Sequence, residues 1–155
     1  MDDLLFGYVA SPIGLVEIGC SETGVAALNF VDSVRHPLSV SPYLTGAGEQ
    51  LAAYFAGSLR VFDLPLDLRG TDFQRRVWAQ LLAIPFGQTA SYLDIALALD
   101  NPQAVRAVGA ANGQNPVSIV VPCHRIIGSD GKLIGYGGGL WRKEWLLRHE
   151  GSLLL

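Results

Sequence analysis

The sequence predicts an α+β protein in two parts, a strand-rich N-terminal domain over 1–68 and a helical C-terminal domain over 69–155. Three observations predict it. Short strand-like runs crowd the start of the chain, helical periodicity with capping signals takes over from Thr71, and the charge balance changes sign between the halves. Through Arg69 eight acidic residues stand against three basic ones, about −5; beyond it six stand against eight, about +2. A mildly positive second half is compatible with DNA, although it falls short of the basic footprint of a tight binder.

Strand-like runs at 6–11, 14–20 and 25–30 are punctuated by Ser11-Pro12 and Ser21-Glu22-Thr23-Gly24. They predict an antiparallel meander. A helix is expected over 46–55, with Leu51, Ala52, Tyr54 and Phe55 close together on the wheel and Gly57 closing it. The loosely alternating 61–68 is expected to be a further strand or an extended linker. From Thr71, which with Asp72 offers a cap, Val77, Trp78, Leu81 and Leu82 mark a helix that Pro85-Phe86-Gly87 stops. Ser91 followed by Asp94 predicts a capping box for a helix over 92–99. Asn101-Pro102 is a second start signal, for a helix carrying Ala104, Arg106, Gly109, Ala110 and Ala111 and ending near Gly113. Two short helices joined by a tight turn are either a helix-turn-helix or a plain helical hairpin. Runs at 125–127 and 132–134 around Gly128-Ser129-Asp130-Gly131 predict a β-hairpin. The glycine-rich 136–139 follows as a loop, and a final amphipathic helix over 140–150 is stopped by Gly151.

No apolar run approaches the length of a membrane span, and the acidic start lacks the basic region of a signal peptide. Two cysteines at distant positions suggest a reducing compartment. A soluble, cytoplasmic protein is expected, associated with the nucleoid when on DNA.

The chemistry concentrates in Asn115-Pro116-Val117-Ser118-Ile119-Val120-Val121-Pro122-Cys123-His124-Arg125. The β-branched run predicts a short buried strand, and Pro122, which cannot donate a ladder hydrogen bond, should end it where Cys123 arrives. An isolated cysteine is more often a small buried residue than a nucleophile. Here the thiol is followed by an imidazole and a guanidinium, which favour a thiolate.

With Pro85-Phe86-Gly87, Ser91-Tyr92, Ala104-Val105-Arg106-Ala107-Val108-Gly109, Gly135-Tyr136-Gly137-Gly138 and the run from Lys143 to Gly151, this stretch resembles the O6-alkylguanine-DNA alkyltransferases in order and spacing. The first half resembles the family's supporting domain more loosely, through Ser11-Pro12-Ile13-Gly14 and Tyr54-Phe55. The resemblance implies a ribonuclease-H-like α/β N-terminal domain and a helical, winged-helix-like C-terminal domain with a helix-turn-helix. It implies single-turnover transfer of an alkyl group from guanine O6 to Cys123, with the base flipped out from the minor groove. His124 would be the general base through a bridging water, with Glu150 orienting it and Tyr92 donating a hydrogen bond to the guanine. Asn115 would support the turn, and Arg125 would hold structure. Arg106 would fill the place of the flipped base, while Ala104, Gly109 and Ala110 permit close approach to DNA. Tyr136, Gly137 and the backbone near Ile126 would wall the substrate pocket.

The implied partner is double-stranded DNA bearing O6-alkylguanine, with O4-alkylthymine a second candidate lesion. The free protein is expected to be a monomer, with cooperative binding on DNA left open. No cofactor is expected. Some relatives carry a structural zinc, and Cys20 falls at one ligand position. The others here are Asp2 and Ala26 with no matching histidine, and His36 stands alone, so no metal is expected. The alternatives are a cysteine hydrolase, which would need an oxyanion hole and turnover, and a lesion-recognition protein without repair, which would lack Cys123. A transcriptional regulator is a third, without room for an effector domain.

Overall fold

Three strands open the chain: β1 (Leu5–Ser11), β2 (Gly14–Cys20) and β3 (Val25–Val31), an antiparallel sheet of order β1-β2-β3. In this computed structural model residues 3–153 are described, so Asp2 lies outside them. The chain divides into two compact units between Arg69 and Gly70.

In the first unit the β1–β2 register brings Ser11 opposite Gly14 and Tyr8 opposite Glu17, so a tight turn suffices between them. Helix α1 (Pro42–Phe55) buries Leu44, Ala47, Leu51 and Tyr54 against the sheet face that carries Val16 and Ile18. On the other face Glu17 is buried, and it is held ionised by a bidentate Arg35 at 3.0 Å and the Tyr8 hydroxyl at 2.7 Å. These donors, Arg35 foremost, hold its carboxyl below the usual range. Helix α1 begins earlier than the expected position 46. Ser41 Oγ accepts from Leu44 N, and Pro42 at the first turn has no N–H to satisfy. The 61–68 stretch is a linker that meets the sheet through a bridge of Val25 with Leu66, and Pro65 has no N–H for a longer ladder.

The second unit is helical: α2 (Asp72–Leu82), α3 (Tyr92–Ala98), α4 (Val105–Gly113) and α5 (Leu140–His149). Capping boxes open α2 (Thr71 with Gln74) and α3 (Ser91 with Asp94). Asn101 makes no side-chain cap. Pro102 starts a short 3-10 turn instead, and α4 begins only at Val105. Helices α2 and α3 both pack on α4, and the buried Trp78 indole donates to Ala111 O at 2.8 Å. The α3–α4 pair forms the helix-turn-helix.

One expected strand and one expected hairpin do not form. The run 117–121 folds into compact turns, because Asn115 makes side-chain bonds at both of its ends. The expected hairpin keeps its turn, with Gly128 N donating to Lys132 O at 2.8 Å, but has no ladder. Ile126 bridges to Ala90 instead, through Ala90 N to Arg125 O and Ile127 N to Ala90 O, each 2.9 Å. No helix among the described residues is long and apolar enough to cross a membrane.

Candidate active site

Asn115 sets the path of the chain into Cys123. Its Oδ1 accepts from Val117 N at 3.0 Å and its Nδ2 donates to Val121 O at 2.7 Å. Such local bonds compete with a strand ladder. Within the loop Val117, Ile119 and Val121 are buried, and Ile119 takes a φ of 73°. A β-branched residue in this region carries strain of roughly 1–3 kcal/mol, which the buried surroundings must hold in place. After Pro122 the chain enters a 3-10 turn, Cys123–Arg125, with all three side chains buried.

These side chains converge on the C-terminal end of α5. Glu150 is its C-cap, and Gly151 turns the chain away with a φ of 79°. His124 Nε2 lies 2.7 Å from Glu150 Oε2, and both side chains are fully enclosed. Arg125 grips the same carboxylate through Nε at 2.7 Å and a second nitrogen at 3.1 Å, and donates to Ile84 O at 2.7 Å. A carboxylate held by a guanidinium offers lone pairs only, so His124 must donate from Nε2. In the neutral ring Nδ1 is then the proton acceptor, and it is buried with no hydrogen bond of its own. Gly87, at φ 85°, lets the turn after α2 pass this helix end: a Cβ there would lie 3.2 Å from Glu150 O.

Burial pushes the Cys123 thiol up, against the Asn115 side chain and the Lys143 charge, which pull it down. Burial likewise pushes the His124 imidazole below its usual value, more strongly than Glu150 raises it. The resting pair is therefore a thiol beside a neutral base, able to form a thiolate by handing over one proton.

Tyr92 opens α3 and is half-buried, with its ring over Gly109 of α4. The resemblance gave Gly109 to DNA approach; within the protein it faces the Tyr92 ring without needing to be glycine. An added Cβ would sit 3.6 Å from the ring, an ordinary contact. Gly109→Ala is thus expected to stabilise the fold by about 0.5–1 kcal/mol through helix propensity, measured by urea denaturation. A loss of stability would show that Tyr92 has no slack. Arg106 is exposed in the first turn of α4, Ala104 is half-buried just before it and Ala110 is exposed. Gly137 is exposed, and Tyr136 is half-buried with its hydroxyl oxygen enclosed. Burial raises the Tyr136 phenol well above its usual value, and the Cys123 charge adds to this. The Ile126 side chain is fully buried, packed in the core of this unit.

Sequence reasoning missed two features. Arg125, expected only to hold structure, is an inward-facing partner of Glu150, and Lys143 is fully buried with its Nζ on the Ile134 carbonyl. Helical spacing could have revealed Lys143, which shares the buried stripe of Leu146 and Leu147.

Of the positions weighed for zinc, Asp2 lies outside the described residues and Ala26 offers no ligand atom. Cys20 is buried at the end of β2, and no group of three or more His, Cys, Asp and Glu among the described residues could hold a metal.

Residues 72–152 match the profile of the 6-O-methylguanine DNA methyltransferase DNA binding domain, and residues 4–68 match that family's ribonuclease-like domain. The methylated-DNA–protein-cysteine methyltransferase of Mycobacterium tuberculosis strain H37Rv is 62% identical over 149 residues, covering 93% of this chain and 90% of the relative. That of Methanosarcina barkeri is 43% identical over 153 residues, 95% and 97% of the two chains. The crystal structure of Mycobacterium tuberculosis OGT in complex with DNA superposes with a TM-score of 0.87 at 50% identity, covering 95% of this chain and 92% of that one. Because both parts of the chain match successive domains of one family, and relatives match over nearly its whole length, the chain belongs to the 6-O-methylguanine DNA methyltransferase family.

Proposed function

We propose that this protein is a methylated-DNA–protein-cysteine methyltransferase that repairs O6-alkylguanine in duplex DNA by moving the alkyl group onto Cys123. The observation that carries the proposal is an enclosed thiol next in sequence to a histidine whose Nε2 is tied to Glu150, within the unit matched by the family's DNA binding domain. In this reading residues 69–155 hold the chemistry and 1–68 support them.

The Cys123 proton passes to His124 Nδ1 through a bridging water. Sulfur then attacks the alkyl carbon, and the carbon–O6 bond breaks with its electron pair going to guanine. Tyr92 donates its hydrogen bond to the base as that charge develops, and the proton given up by the thiol returns to the guanine. The product is intact guanine and a thioether, which offers no leaving group for turnover. Incubation with duplex DNA containing O6-methylguanine, followed by intact-mass measurement and peptide mapping, tests this. One methyl group per chain on Cys123 is expected, and multiple turnovers would overturn the mechanism. The same assay with O4-methylthymine duplexes asks whether the pocket accepts the second lesion. Sedimentation with and without DNA reads the expected monomer and any cooperative binding.

A base inside the duplex hides its O6 substituent, so the target must leave the stack. Arg106, exposed at the start of the second helix of the helix-turn-helix, fills the vacated place, and Ala104 and Gly109 allow the approach. Extrusion costs a few kcal/mol, and each kcal/mol of lost support slows duplex repair about fivefold. Arg106→Gly is therefore expected to slow duplex repair strongly and leave the reaction with free O6-benzylguanine nearly unchanged. Arg106→Lys keeps the charge without the planar group and separates stacking from phosphate attraction. Equal slowing of both reactions would assign Arg106 to the pocket or the fold instead.

A further inference from the structure

Arg125 is enclosed with Glu150 and His124, yet the reaction above gives it no task. Its guanidinium takes the carboxylate on both oxygens: Nε donates to Oε1 at 2.7 Å and Nη2 to Oε2 at 3.1 Å. Oε2 also accepts from His124 Nε2 at 2.7 Å, so one oxygen serves two donors. The remaining nitrogen, Nη1, donates to Ile84 O at 2.7 Å, and the Phe86 ring stands 5.9 Å from the guanidinium carbon. A planar fork fixed on a backbone carbonyl fixes in turn the plane of the carboxylate it holds. The imidazole therefore meets a carboxylate whose position is set by another residue.

The charges around the imidazole can be counted. From α5 come the Glu150 carboxylate and the Lys143 ammonium, and from its own 3-10 turn come Arg125 and the Cys123 thiol. Helix α2, whose Asp72, Arg75 and Arg76 are exposed, adds with its following turn only the Ile84 carbonyl and the Phe86 ring. The Tyr136 phenol of the glycine-rich segment is kept neutral by burial. Glu150 carries one negative charge, and Arg125 already matches it. A proton on His124 would then leave the enclosed group with a positive charge that no anion offsets, and burial disfavours that form. With Arg125 absent the count reverses. Carboxylate and imidazole together would be left negative, and a proton on the ring would neutralise them. An imidazolium bonded to an unshared buried carboxylate is the expected resting state of such a pair. Its Nδ1 carries the proton and has no lone pair left for the thiol.

We propose that Arg125 is a positioning residue for the proton transfer from Cys123: by sharing Glu150 it leaves the carboxylate able to orient His124 but unable to protonate it, and so keeps Nδ1 open. The charge sharing stands on the contacts themselves, and its use in catalysis rests on the transfer to Cys123 proposed above. At rest the thiol keeps its proton and the ring is neutral. When the S–H bond gives its proton to Nδ1 through the water, the electron pair stays on sulfur. The imidazolium then exists only for the duration of the transfer, facing the carboxylate that holds it in place. A lysine at this position would bring the charge without the fork that reaches both oxygens.

The chain has three histidines, so NMR titration of the labelled rings resolves His124. In wild type its midpoint is expected below 6.5, the unperturbed value. In Arg125→Met it is expected above 6.5 and higher than wild type by about one unit or more, a tenfold gain in protonation. Adding Glu150→Gln to Arg125→Met is expected to bring the midpoint back below 6.5, and Arg125→Lys to hold it close to wild type. An arginine with a packing role only would, on removal, admit water and let the midpoint relax to 6.5 and no further, with or without the Glu150 charge. That result would overturn the proposal. Wild type alone gives a second measurement, safe from any failure of the variants to fold. Nitrogen chemical shifts at neutral pH are expected to show the His124 proton on Nε2 and a bare Nδ1, and a doubly protonated ring would refute the charge sharing. Single-turnover rates with O6-methylguanine duplexes then read the catalytic use. The acid limb of the rate should move to higher pH with the ring in Arg125→Met, and a limb that stays put would remove Arg125 from the proton transfer. No transfer from any form, with the titrations as expected, would instead count against the proposed function and leave the sharing of Glu150 standing.

Discussion

Cys123→Ala is expected to abolish methyl transfer from O6-methylguanine duplexes while leaving DNA affinity within about twofold. The sulfur is the bond-forming atom and lies enclosed in the 3-10 turn after Pro122, whereas Arg106 is exposed in the first turn of α4. Removing one sulfur-sized atom from a packed site costs roughly 1 kcal/mol, too little to unfold a typical domain. Cys20 cannot stand in. It is buried in β2 with its thiol pushed up to about 11, so near neutral pH only about one molecule in ten thousand carries that thiolate. The check is intact mass after prolonged incubation, beside a fluorescence titration with the same duplex. Stoichiometric methylation of the variant at any residue would displace Cys123 as nucleophile.

What the sequence made legible was mostly local. Thr71 with Gln74 and Ser91 with Asp94 close capping boxes within one helical turn, so start signals near the chain are enough to find them. The meander could be read because its turns lie between alternating runs. Helix α1 was foreshortened because its start was placed at Gly46, although Ser41-Pro42 carries a start signal of its own. The run 117–121 has every compositional mark of a strand. What diverts it is one side chain, Asn115, bonding to both of its ends, which no propensity expresses. Ile126 has its partner at Ala90, far back in the chain, and nothing near 126 announces that pairing.

The site divides along similar lines. Cys123, His124 and Glu150 were named through a family resemblance, since a carboxylate next to a terminal helix glycine would otherwise pass for a solvated helix end. That Arg125 turns inward to the same carboxylate needed the fold, because its partners Ile84 and Glu150 come from distant parts of the chain. Lys143 was within reach of helical spacing alone, and it was passed over because lysine is so rarely found enclosed.

Glu150→Gln should lower both stability and rate, in separable ways. The native carboxylate satisfies the buried Arg125 guanidinium and fixes His124 as an Nε2–H donor. Taking the charge from one partner of a buried ion pair leaves the other uncompensated and costs about 3–5 kcal/mol, or roughly 6–20 °C in melting temperature for a chain of this size. Glutamine keeps an acceptor for Arg125 and belongs at the lower end; Glu150→Ala belongs at the upper. In rate, the imidazole loses the charge that favours its protonated form and the acceptor that fixes its tautomer, so single-turnover transfer should slow by about a hundredfold or more. The pH dependence gives a further check. Burial holds His124 below its unfolded pKa, so the unfolded chain binds the extra proton first, and stability is full above about 6.5 and falls as pH drops below it. Without the Glu150 charge the folded pKa drops further, and the decline extends to lower pH before levelling. Melting curves across that range, beside rates measured at neutral pH, separate the two roles. A lowered melting temperature with an unchanged rate would make Glu150 a purely structural partner of Arg125, and no change in either would return it to the solvated helix end that composition alone suggests.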